Sequence, residues 1–467
     1  MQRKIKNYEQ LLSHGNSESR KVVLDITEAT LKYLDAYERI KSIASYDGRF
    51  LKIGTRSWDL SKKRNIYLIG AGKACNAMAM AIDEILGDRL TRGIAIVKVA
   101  EDTDVFRKTE VYVGGHPLPN RNGYNACKKI IKMVDAAEPN DLFIVVISGG
   151  SSALMSCPID GITLQDEIKA TEVLLKSGAN ILEINAIRRH ISQLNGGMLA
   201  KRIQMTGAEL VGIGISDAVG TQATGDIGIP YKFYKGTPMG PDQTTLEEAR
   251  RVIRDYDVAD RLPSRVVDYL MNCGPEGETP KAFPDNTYFL LNSLPDSCIY
   301  AKKVAEQMGI PAIILTSFLE GESRDVGTVF ASIAREVQKY GNPIAPPCVI
   351  LSSGEATTKI TDNRMIKGHG GPSQELTASF AISATKTVGC CMLSIDSEGT
   401  DGTTPVAGGL TDSKSYTMAC SNKVDLYAAL RGHACYEALL DIGDTVMTGN
   451  TGTNLCDFNI MYIPAIQ

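Results

Sequence analysis

Residues 141–154, which read DLFIVVISGGSSAL, are predicted to form a strand, a glycine–serine turn and the start of a helix. Residues 142–147 are an unbroken apolar run rich in β-branched side chains, which is typical of a strand buried on both faces. The run stops at Ser148, Gly149, Gly150, Ser151 and Ser152, where free N–H groups and a helix N-terminus are predicted to meet. Such a turn suits a phosphate or a carboxylate, although a connection that merely needs glycine would look the same.

Strands and helices alternate through the first half of the chain. Buried strands are predicted at 65–69, 93–97, 110–113 and 209–215, and helices at 19–44, 74–86, 126–134, 163–176 and 187–202. This alternation predicts an α/β fold with a doubly wound parallel sheet, in which the loops after the strands share one ligand-binding edge. Residues 216–245 form a long glycine- and proline-rich loop, which we interpret as both functional and a domain boundary.

The alternation resumes after residue 246, with one strand predicted at 356–360 and a last one at 458–463. Because 467 residues exceed what one hydrophobic core usually serves, two domains are expected.

Composition excludes several classes of partner. The net charge of −4 argues against nucleic acid and membrane surfaces, which require a clustered positive face. No apolar run is long enough to span a bilayer, and the first residues lack a signal-peptide core. The 11 cysteines include no CxxC pair, and most lie in apolar runs, so reduced thiols in a cytoplasmic protein are expected.

Several polar loops carry residues that could do chemistry. Lys73 follows Gly72 at a helix start, where the helix dipole disfavours a cation unless it serves a bound phosphate. Asp217 and Asp401 follow strands and could hold Mg²⁺ or accept a hydroxyl proton, although each could be an ordinary turn or cap residue. His116 is more typical of a packed or capping residue than of a base.

Arg188 and Arg189 are adjacent on a predicted helix, so at most one of them can clamp an anion. The sequence has no zinc-type cluster, no GxSxG elbow and no GxGxxG dinucleotide fingerprint.

Taken together, these loops resemble the type 2 glycerate kinases, the ATP-dependent D-glycerate 2-kinases that were formerly named hydroxypyruvate reductases. The matching stretches keep the family's order and cover nearly the whole chain. They are GAGKA at 70–74, GGHPLPN at 114–120, SGGSSAL at 148–154, NAIRRHISQLNGG at 185–197, ISD at 215–217, GHGGPSQE at 368–375, DSEGTDGTTPVAG at 396–408 and TGNTGTNLCDFNI at 448–460.

The resemblance implies two α/β domains with an active-site cleft between them. The expected division is a Rossmann-like N-terminal domain of residues 1–225 with 445–467, and a C-terminal α/β domain of residues 226–444. It further implies ATP and Mg²⁺ as cofactors and a small hydroxy acid as substrate, and it leaves open whether two copies form a homodimer.

The resemblance also implies roles for individual residues. Lys73 matches the lysine that acts on the transferred phosphoryl group, and Asp401 matches a carboxylate of the GTDGxDG motif. Catalysis is assigned to Lys73, Asp401 and Asp217, with the metal on the two aspartates. Substrate or nucleotide binding is assigned to Gly72, Ser148, Gly149, Gly150, Ser151, Ser152, Arg188, His116, Gln374, Glu375 and Thr400.

Four departures from the family pattern neutralise charged positions. Pro372 replaces an arginine, Asn195 replaces a lysine, Thr221 and Gln222 replace two acidic residues, and Pro405 replaces an aspartate. Because phosphoryl transfer depends on positioned charge, these changes bear directly on activity.

The departures leave four functions open. The first is a kinase acting on D-glycerate or a related small hydroxy acid. The second is a diverged enzyme with another substrate or reaction, and the third is a hydroxypyruvate reductase. The fourth is a ligand-binding protein that kept the cleft and lost the chemistry.

Overall fold

The fold contains 15 strands and 17 α-helices in the part of the chain that a computed structural model describes, residues 3–102, 104–225, 227–231 and 237–466. The strands are β1 (Ala44–Tyr46), β2 (Phe50–Ile53), β3 (Arg56–Asp59), β4 (Ile66–Gly72), β5 (Arg92–Val97), β6 (Thr109–Val113), β7 (Leu142–Ile147), β8 (Glu209–Ser216), β9 (Thr287–Ser293), β10 (Ala312–Glu322), β11 (Cys348–Thr357), β12 (Cys391–Asp396), β13 (Gly408–Asp412), β14 (Thr445–Val446) and β15 (Asp457–Ile463).

The helices range from one turn to five. They are α1 (Tyr8–Leu12), α2 (Ser17–Leu34), α3 (Ala36–Ile43), α4 (Cys75–Leu86), α5 (Arg121–Asp135), α6 (Ser151–Leu154), α7 (Leu164–Ser177), α8 (Ile181–His190), α9 (Met198–Met205), α10 (Leu246–Asp255), α11 (Ser264–Asn272), α12 (Leu294–Gln307), α13 (Ser323–Tyr340), α14 (Pro372–Ser383), α15 (Ser415–Ser421), α16 (Leu426–Arg431) and α17 (Cys435–Asp441).

The chain divides into two compact units. The first, which we call the parallel-sheet unit, comprises Ala36–Ile215 and Gly225–Leu291. The second, the mixed-sheet unit, comprises Met1–Asp35, Ser216–Thr224 and Asn292–Gln467.

Six strands form the main sheet of the parallel-sheet unit, in the order β6-β5-β4-β7-β8-β9. The strand pairs from β6 to β8 are all parallel, and every residue of β7 is buried. This confirms the predicted doubly wound parallel sheet. The strand order reverses between β4 and β7, so the loops after these two strands lie at the point where such sheets bind ligands.

Two smaller elements complete this unit. Strands β1, β2 and β3 form a separate antiparallel sheet, which the sequence patterns did not predict. Helices α7, α8, α10 and α11 bury a second apolar cluster of their own, which includes Leu174, Ile187 and Val252.

The mixed-sheet unit is built on a sheet with the order β10-β11-β15-β12-β13-β14. Only β10 and β11 pair in parallel; the other pairs are antiparallel. Residues of α2 and α12 pack on one face, against Leu351 and Leu393 among others. Residues of α13 and α14 pack on the opposite face, against Ile350 and Met392.

The two units differ from the expected domains at both chain ends. Strand β15, expected in the N-terminal domain with residues 445–467, is the buried third strand of the mixed sheet, between β11 and β12. Helices α1 and α2 also belong to the mixed-sheet unit, because their apolar faces are covered by its core. The expected boundary residue 226, and residues 232–236 of the predicted loop, lie outside the described residues.

Three predicted elements have different bounds. The single helices expected at 19–44 and 187–202 are each broken, at Asp35 and after His190. The strand expected at 356–360 is the end of β11, which runs without interruption to Thr357. Among the described residues, no helix is both long and apolar enough to cross a membrane.

Candidate functional site

The loops that follow β4 and β7 are joined by hydrogen bonds. The Lys73 N–H donates to Gly149 O at 2.9 Å, and the Ser148 N–H donates to Ala71 O at 3.1 Å. The Ala74 N–H in turn donates to Ser148 Oγ at 2.9 Å. Lys73 and the glycine–serine turn at 148–152 are therefore held together at the reversal of strand order.

Two glycines allow this close approach. At Gly72, with φ of +139°, a Cβ atom would lie 2.1 Å from Ser148 Oγ. At Gly150, with φ of +82°, it would lie 3.0 Å from His116 Cδ2 and 3.1 Å from Lys73 Cγ. The side chains of Lys73 and His116 therefore both flank the turn, as the sequence predicts for one shared site.

The turn offers several N–H groups to a ligand. Within the described residues, the N–H groups of Gly149, Gly150, Ser151 and Ser152 have no carbonyl or side-chain acceptor. Consecutive N–H groups beside a lysine make a concave site for an anion. The expected contribution of a helix dipole is small, because α6 has only four residues.

Asn195 stabilises the end of the turn by hydrogen bonds. Its Nδ2 group donates to Ser152 O at 3.2 Å and to Met155 O at 3.1 Å, and the residue is buried. At this position, where the family pattern has lysine, an amide holds the segment after the turn. Sequence reasoning did not predict this role, because the two ends of the contact are distant in the chain.

The two adjacent arginines have different environments. Arg189 Nη1 donates to Asp242 Oδ1 at 2.8 Å, so this side chain ties α8 to the segment before α10. Arg188 lies among the helices α7 and α8, and its buried Nε and Nη2 atoms have no partner among the described residues. Burial lowers the pKa of Arg188, and the nearby Glu167 carboxylate opposes this effect. Of the two, Arg188 is the one that could take an anionic ligand.

Asp401 of the mixed-sheet unit caps a helix. Its carboxylate accepts from the N–H groups of Ser373 and Gln374 at 3.2 and 2.9 Å, and from Gln374 Nε2 at 2.8 Å. Pro372 occupies the first turn of α14, where proline is favoured. Both carboxylate oxygens of the buried Asp401 are thus engaged at the start of α14, which favours a positioning role over direct metal ligation.

The other residues predicted in these loops also have defined partners. Gln374 Nε2 additionally donates to Thr404 Oγ1 at 2.9 Å. Glu375 Oε1 lies 2.7 Å from His433 Nδ1, and burial raises the pKa of this glutamate. Thr400 Oγ1 donates to Glu398 Oε1 at 2.8 Å.

The pKa of Asp401 leads to a prediction about stability. Desolvation raises it from its usual value to about 6, against the effect of the Gln374 and Ser373 hydrogen bonds. Because the folded state binds this proton more tightly than the unfolded state, the resulting stability is present below about pH 4 and is lost as the pH rises to about 6. We therefore expect titration of Asp401 to lower the free energy of unfolding by about 3 kcal/mol between about pH 4 and about pH 6.

Urea unfolding at several pH values checks this expectation. Asp401→Asn should flatten the decline between about pH 4 and 6, whereas the control Asp441→Asn, at the exposed end of α17, should leave it unchanged. Identical pH profiles for the wild type and Asp401→Asn would contradict the assignment.

Asp217 contacts the segment that leads into β15. Its Oδ2 atom accepts from Asn454 Nδ2 at 3.1 Å, and its carbonyl oxygen lies 3.4 Å from Cys456 Sγ. Asp457 follows directly and is paired across the sheet with Asp396. Asp396 and Asp457 were not among the predicted site residues, although both lie in stretches that match the family and both stand at strand ends. Within the described residues, no three His, Cys, Asp or Glu side chains are grouped closely enough to hold a metal by themselves.

Two regions of the chain match known protein families, and characterised relatives match most of its length. Residues 22–271 match a domain of unknown function, DUF4147, and residues 348–457 match the MOFRL family. The glycerate 2-kinase of Pyrococcus horikoshii is 33% identical over 93% of this chain and 95% of its own length. The D-glycerate 2-kinase of Thermotoga maritima is 32% identical, over 85% of this chain and 90% of its own.

A solved structure and a further relative extend the comparison. The crystal structure of a glycerate kinase from Thermotoga maritima has a TM-score of 0.78 and 30% identity, and the match covers 95% of this chain and 99% of that one. A protein of Agrobacterium vitis named as a hydroxypyruvate reductase is 34% identical over 85% of this chain and 98% of its own. The chain therefore belongs to the glycerate kinase family, with a DUF4147 region followed by a MOFRL region.

Proposed function

We propose that this protein is an ATP-dependent kinase that transfers a phosphoryl group to a hydroxyl of D-glycerate or a related small hydroxy acid. The observation that carries the proposal is Lys73 held against the glycine–serine turn at the reversal of strand order. Such an arrangement provides a cation and several N–H groups for a phosphate. Family membership supports phosphoryl transfer, and ATP use follows from the kinase relatives.

Lys73 and the glycine–serine turn have different roles toward the phosphate. The N–H groups of residues 149–152 bind the oxygens of the transferred group, and the Lys73 ammonium stabilises the charge that spreads over them in the transition state. His116, which like Lys73 lies beside Gly150, is assigned to orient the same group. Arg188 is a candidate for the substrate carboxylate, because its guanidinium has donors without an acceptor.

Residues of the mixed-sheet unit either position loops or act directly on the metal or the substrate hydroxyl. Asp401 with Gln374, and Glu375 with His433, position the loops that adjoin α14. We therefore assign them an indirect effect on nucleotide binding, in place of the direct contacts expected from the sequence. Asp217 keeps its proposed role in metal binding or hydroxyl orientation. Mg²⁺ would neutralise charge on the nucleotide phosphates when bound.

A product analysis tests the kinase assignment. Protein is incubated with ATP, Mg²⁺ and D-glycerate, ADP release is followed with a coupled assay, and the product is examined by phosphorus NMR. We expect stoichiometric ADP and a phosphomonoester coupled to the proton on carbon 2 of glycerate. A panel of sugar acids, tested in parallel, defines the acceptor.

The alternatives give different results in the same set of assays. ADP release with another acid only would favour a diverged kinase. NADH oxidation with hydroxypyruvate, without ADP release, would favour the reductase. ATP binding without turnover on any acid would favour a protein that lost the chemistry.

We also infer a cytoplasmic location from the cysteines. All 11 are free thiols, and eight of them are buried. Reduced thiols are typical of a reducing compartment. A homodimer stays a prediction, which light scattering coupled to size-exclusion chromatography tests.

A further inference from the structure

A histidine and a glutamate form a buried pair in the mixed-sheet unit. His433 Nδ1 lies 2.7 Å from Glu375 Oε1, and the two side chains are 9% and 1% exposed. Because an ionised carboxylate only accepts hydrogen bonds, this contact places the proton of the neutral imidazole on Nδ1. The Nε2 atom of His433 is then an acceptor. It has no partner among the described residues, and it is not one of the fully buried polar atoms.

The backbone fixes the position of this ring. His433 lies in the connection between α16 and α17, with a φ of +50° that residues other than glycine rarely adopt. The Lys367 N–H donates to Gly432 O at 2.7 Å. The Tyr436 N–H donates to His369 O at 2.9 Å. These bonds join the connection to the segment before α14, and a backbone strained in this way is typical of functional positions.

The first turn of α14 contains two buried acceptors without a donor. Glu375 Oε2, the second oxygen of the paired carboxylate, is buried and has no partner in the described part of the chain. Gln374 Oε1 is in the same situation, although the Nε2 group of this amide has acceptors. The two residues are 1% and 0% exposed. Buried acceptors normally have a donor, and a hydroxyl group of a small ligand would supply one.

Charged groups from several elements act on the pair. Burial raises the pKa of Glu375, whereas His433 and Arg324 lower it. Glu375 is thus suited to stabilise the imidazolium that forms when the ring takes up a proton. The other titratable side chains that interact with Glu375 or with its neighbours are Glu322, Asp401, Cys435 and Glu437.

We propose that His433 is the general base that accepts the proton of the substrate hydroxyl, with Glu375 as its positioning residue. The inference rests on the proposed kinase function. A base must present an unprotonated acceptor atom to the hydroxyl, which His433 Nε2 does. Asp401 is less suited to this role, because both of its oxygens accept hydrogen bonds at the start of α14.

The proton and the phosphoryl group move in opposite directions in this step. The hydroxyl oxygen of the acid forms a bond to the terminal phosphorus of ATP, and its O–H bond breaks as the proton passes to His433 Nε2. The bond between that phosphorus and the bridging oxygen breaks, and ADP leaves with the electron pair. The imidazolium, hydrogen-bonded to Glu375, then releases the proton to water.

The pH dependence of kcat/KM for D-glycerate tests the base in the full-length protein. We expect the wild-type value to fall toward acid pH, because a protonated imidazole cannot accept a proton. His433→Asn should lower kcat/KM by about 10²-fold at alkaline pH and should remove this fall. Asparagine tolerates a left-handed backbone, so the variant should fold, which thermal unfolding checks.

Two further variants separate the roles of the pair. Glu375→Gln keeps an acceptor for Nδ1 but removes the charge that stabilises the imidazolium, so the acid-side fall should move to lower pH by about one unit. The matched control is His369→Asn. His369 Nδ1 also lies 2.7 Å from a glutamate oxygen, Glu437 Oε1, but these side chains are 66% and 43% exposed. This control should change neither the value of kcat/KM nor its pH dependence.

Nitrogen NMR of protein labelled in its five histidines measures the tautomer without turnover. The signals that are missing from His433→Asn identify the ring. We expect its neutral form to carry the proton on Nδ1. A neutral ring with the proton on Nε2 would overturn the proposal, because that atom could not then act as a base.

Kinase turnover with the same pH profile in the wild type and in folded His433→Asn would overturn the base and leave the function intact. The acid-side fall would then be assigned to Asp401, whose pKa burial raises to about 6. Wild-type protein that releases no ADP with any acid would refute the function, and the base with it.

Discussion

Replacing Lys73 with methionine will lower kcat by about 10³-fold, while the variant stays folded and still binds ATP. The reason is that the ammonium group acts mainly on charge that develops in the transition state, so its loss affects the chemical step more than ground-state binding. Methionine is one atom shorter than lysine but keeps an unbranched apolar stem, which limits the change in packing around Gly150. Steady-state kinetics with D-glycerate and calorimetry with ATP measure the two effects separately.

The control for this prediction is Lys132→Met, on the exposed surface of α5 in the same unit. It removes an equal charge away from the turn and should leave kcat within about twofold, since surface charges contribute little. A Lys73→Met variant with wild-type kcat would show that the lysine does not act on the transferred group.

Replacing Gly72 with alanine will disrupt the junction of the two loops. The added Cβ would lie 2.1 Å from Ser148 Oγ and 2.8 Å from its N and O atoms, and the backbone has a φ of +139° that side chains rarely adopt. Ser148 must move, and its hydrogen bond from the Ala74 N–H is lost. We expect kcat/KM to fall by about 10²-fold and the free energy of unfolding by about 3 kcal/mol.

Gly161→Ala separates strain from steric contact. Gly161 also has a positive φ, of +92°, but an added Cβ would meet no atom within 4 Å. We expect a loss of about 1 kcal/mol from backbone strain and no change in kcat/KM. Equal effects of the two substitutions on kcat/KM would contradict the role of the close approach at Gly72.

The parallel sheet could be predicted because its signals are local. Strand β7 is apolar on both faces, and the turn after it is marked by glycines and serines. Helix α6 has only one turn, and Pro158 disfavours a helical conformation at Cys157, so the chain does not continue as a helix. Strand β11 also begins earlier than the strand predicted at 356–360. Gly354 interrupts the apolar pattern, yet it lies within the strand, where β10 approaches so closely that a Cβ would meet Leu319 O at 2.1 Å.

The candidate site residues of the parallel-sheet unit could be predicted from the sequence. Those of the mixed-sheet unit could not, because their environment depends on contacts between residues that are distant in the chain. The sequence places Asp401 beside glycines, but only the fold brings it to the start of α14, where it caps the helix. The pairing of Asp396 with Asp457 depends on the register of β12 against β15, which no local pattern specifies. Lys73 and the glycine–serine turn, by contrast, each follow a strand of one parallel sheet, so their proximity could be inferred from topology.

A crystal structure with a non-hydrolysable ATP analogue, Mg²⁺ and D-glycerate tests whether Lys73 and the glycine–serine turn bind the phosphoryl group that is transferred. We expect the terminal phosphate to lie within hydrogen-bond distance of Lys73 Nζ and of N–H groups from residues 149–152. A terminal phosphate bound elsewhere, with this turn contacting no part of the nucleotide or the acid, would contradict it.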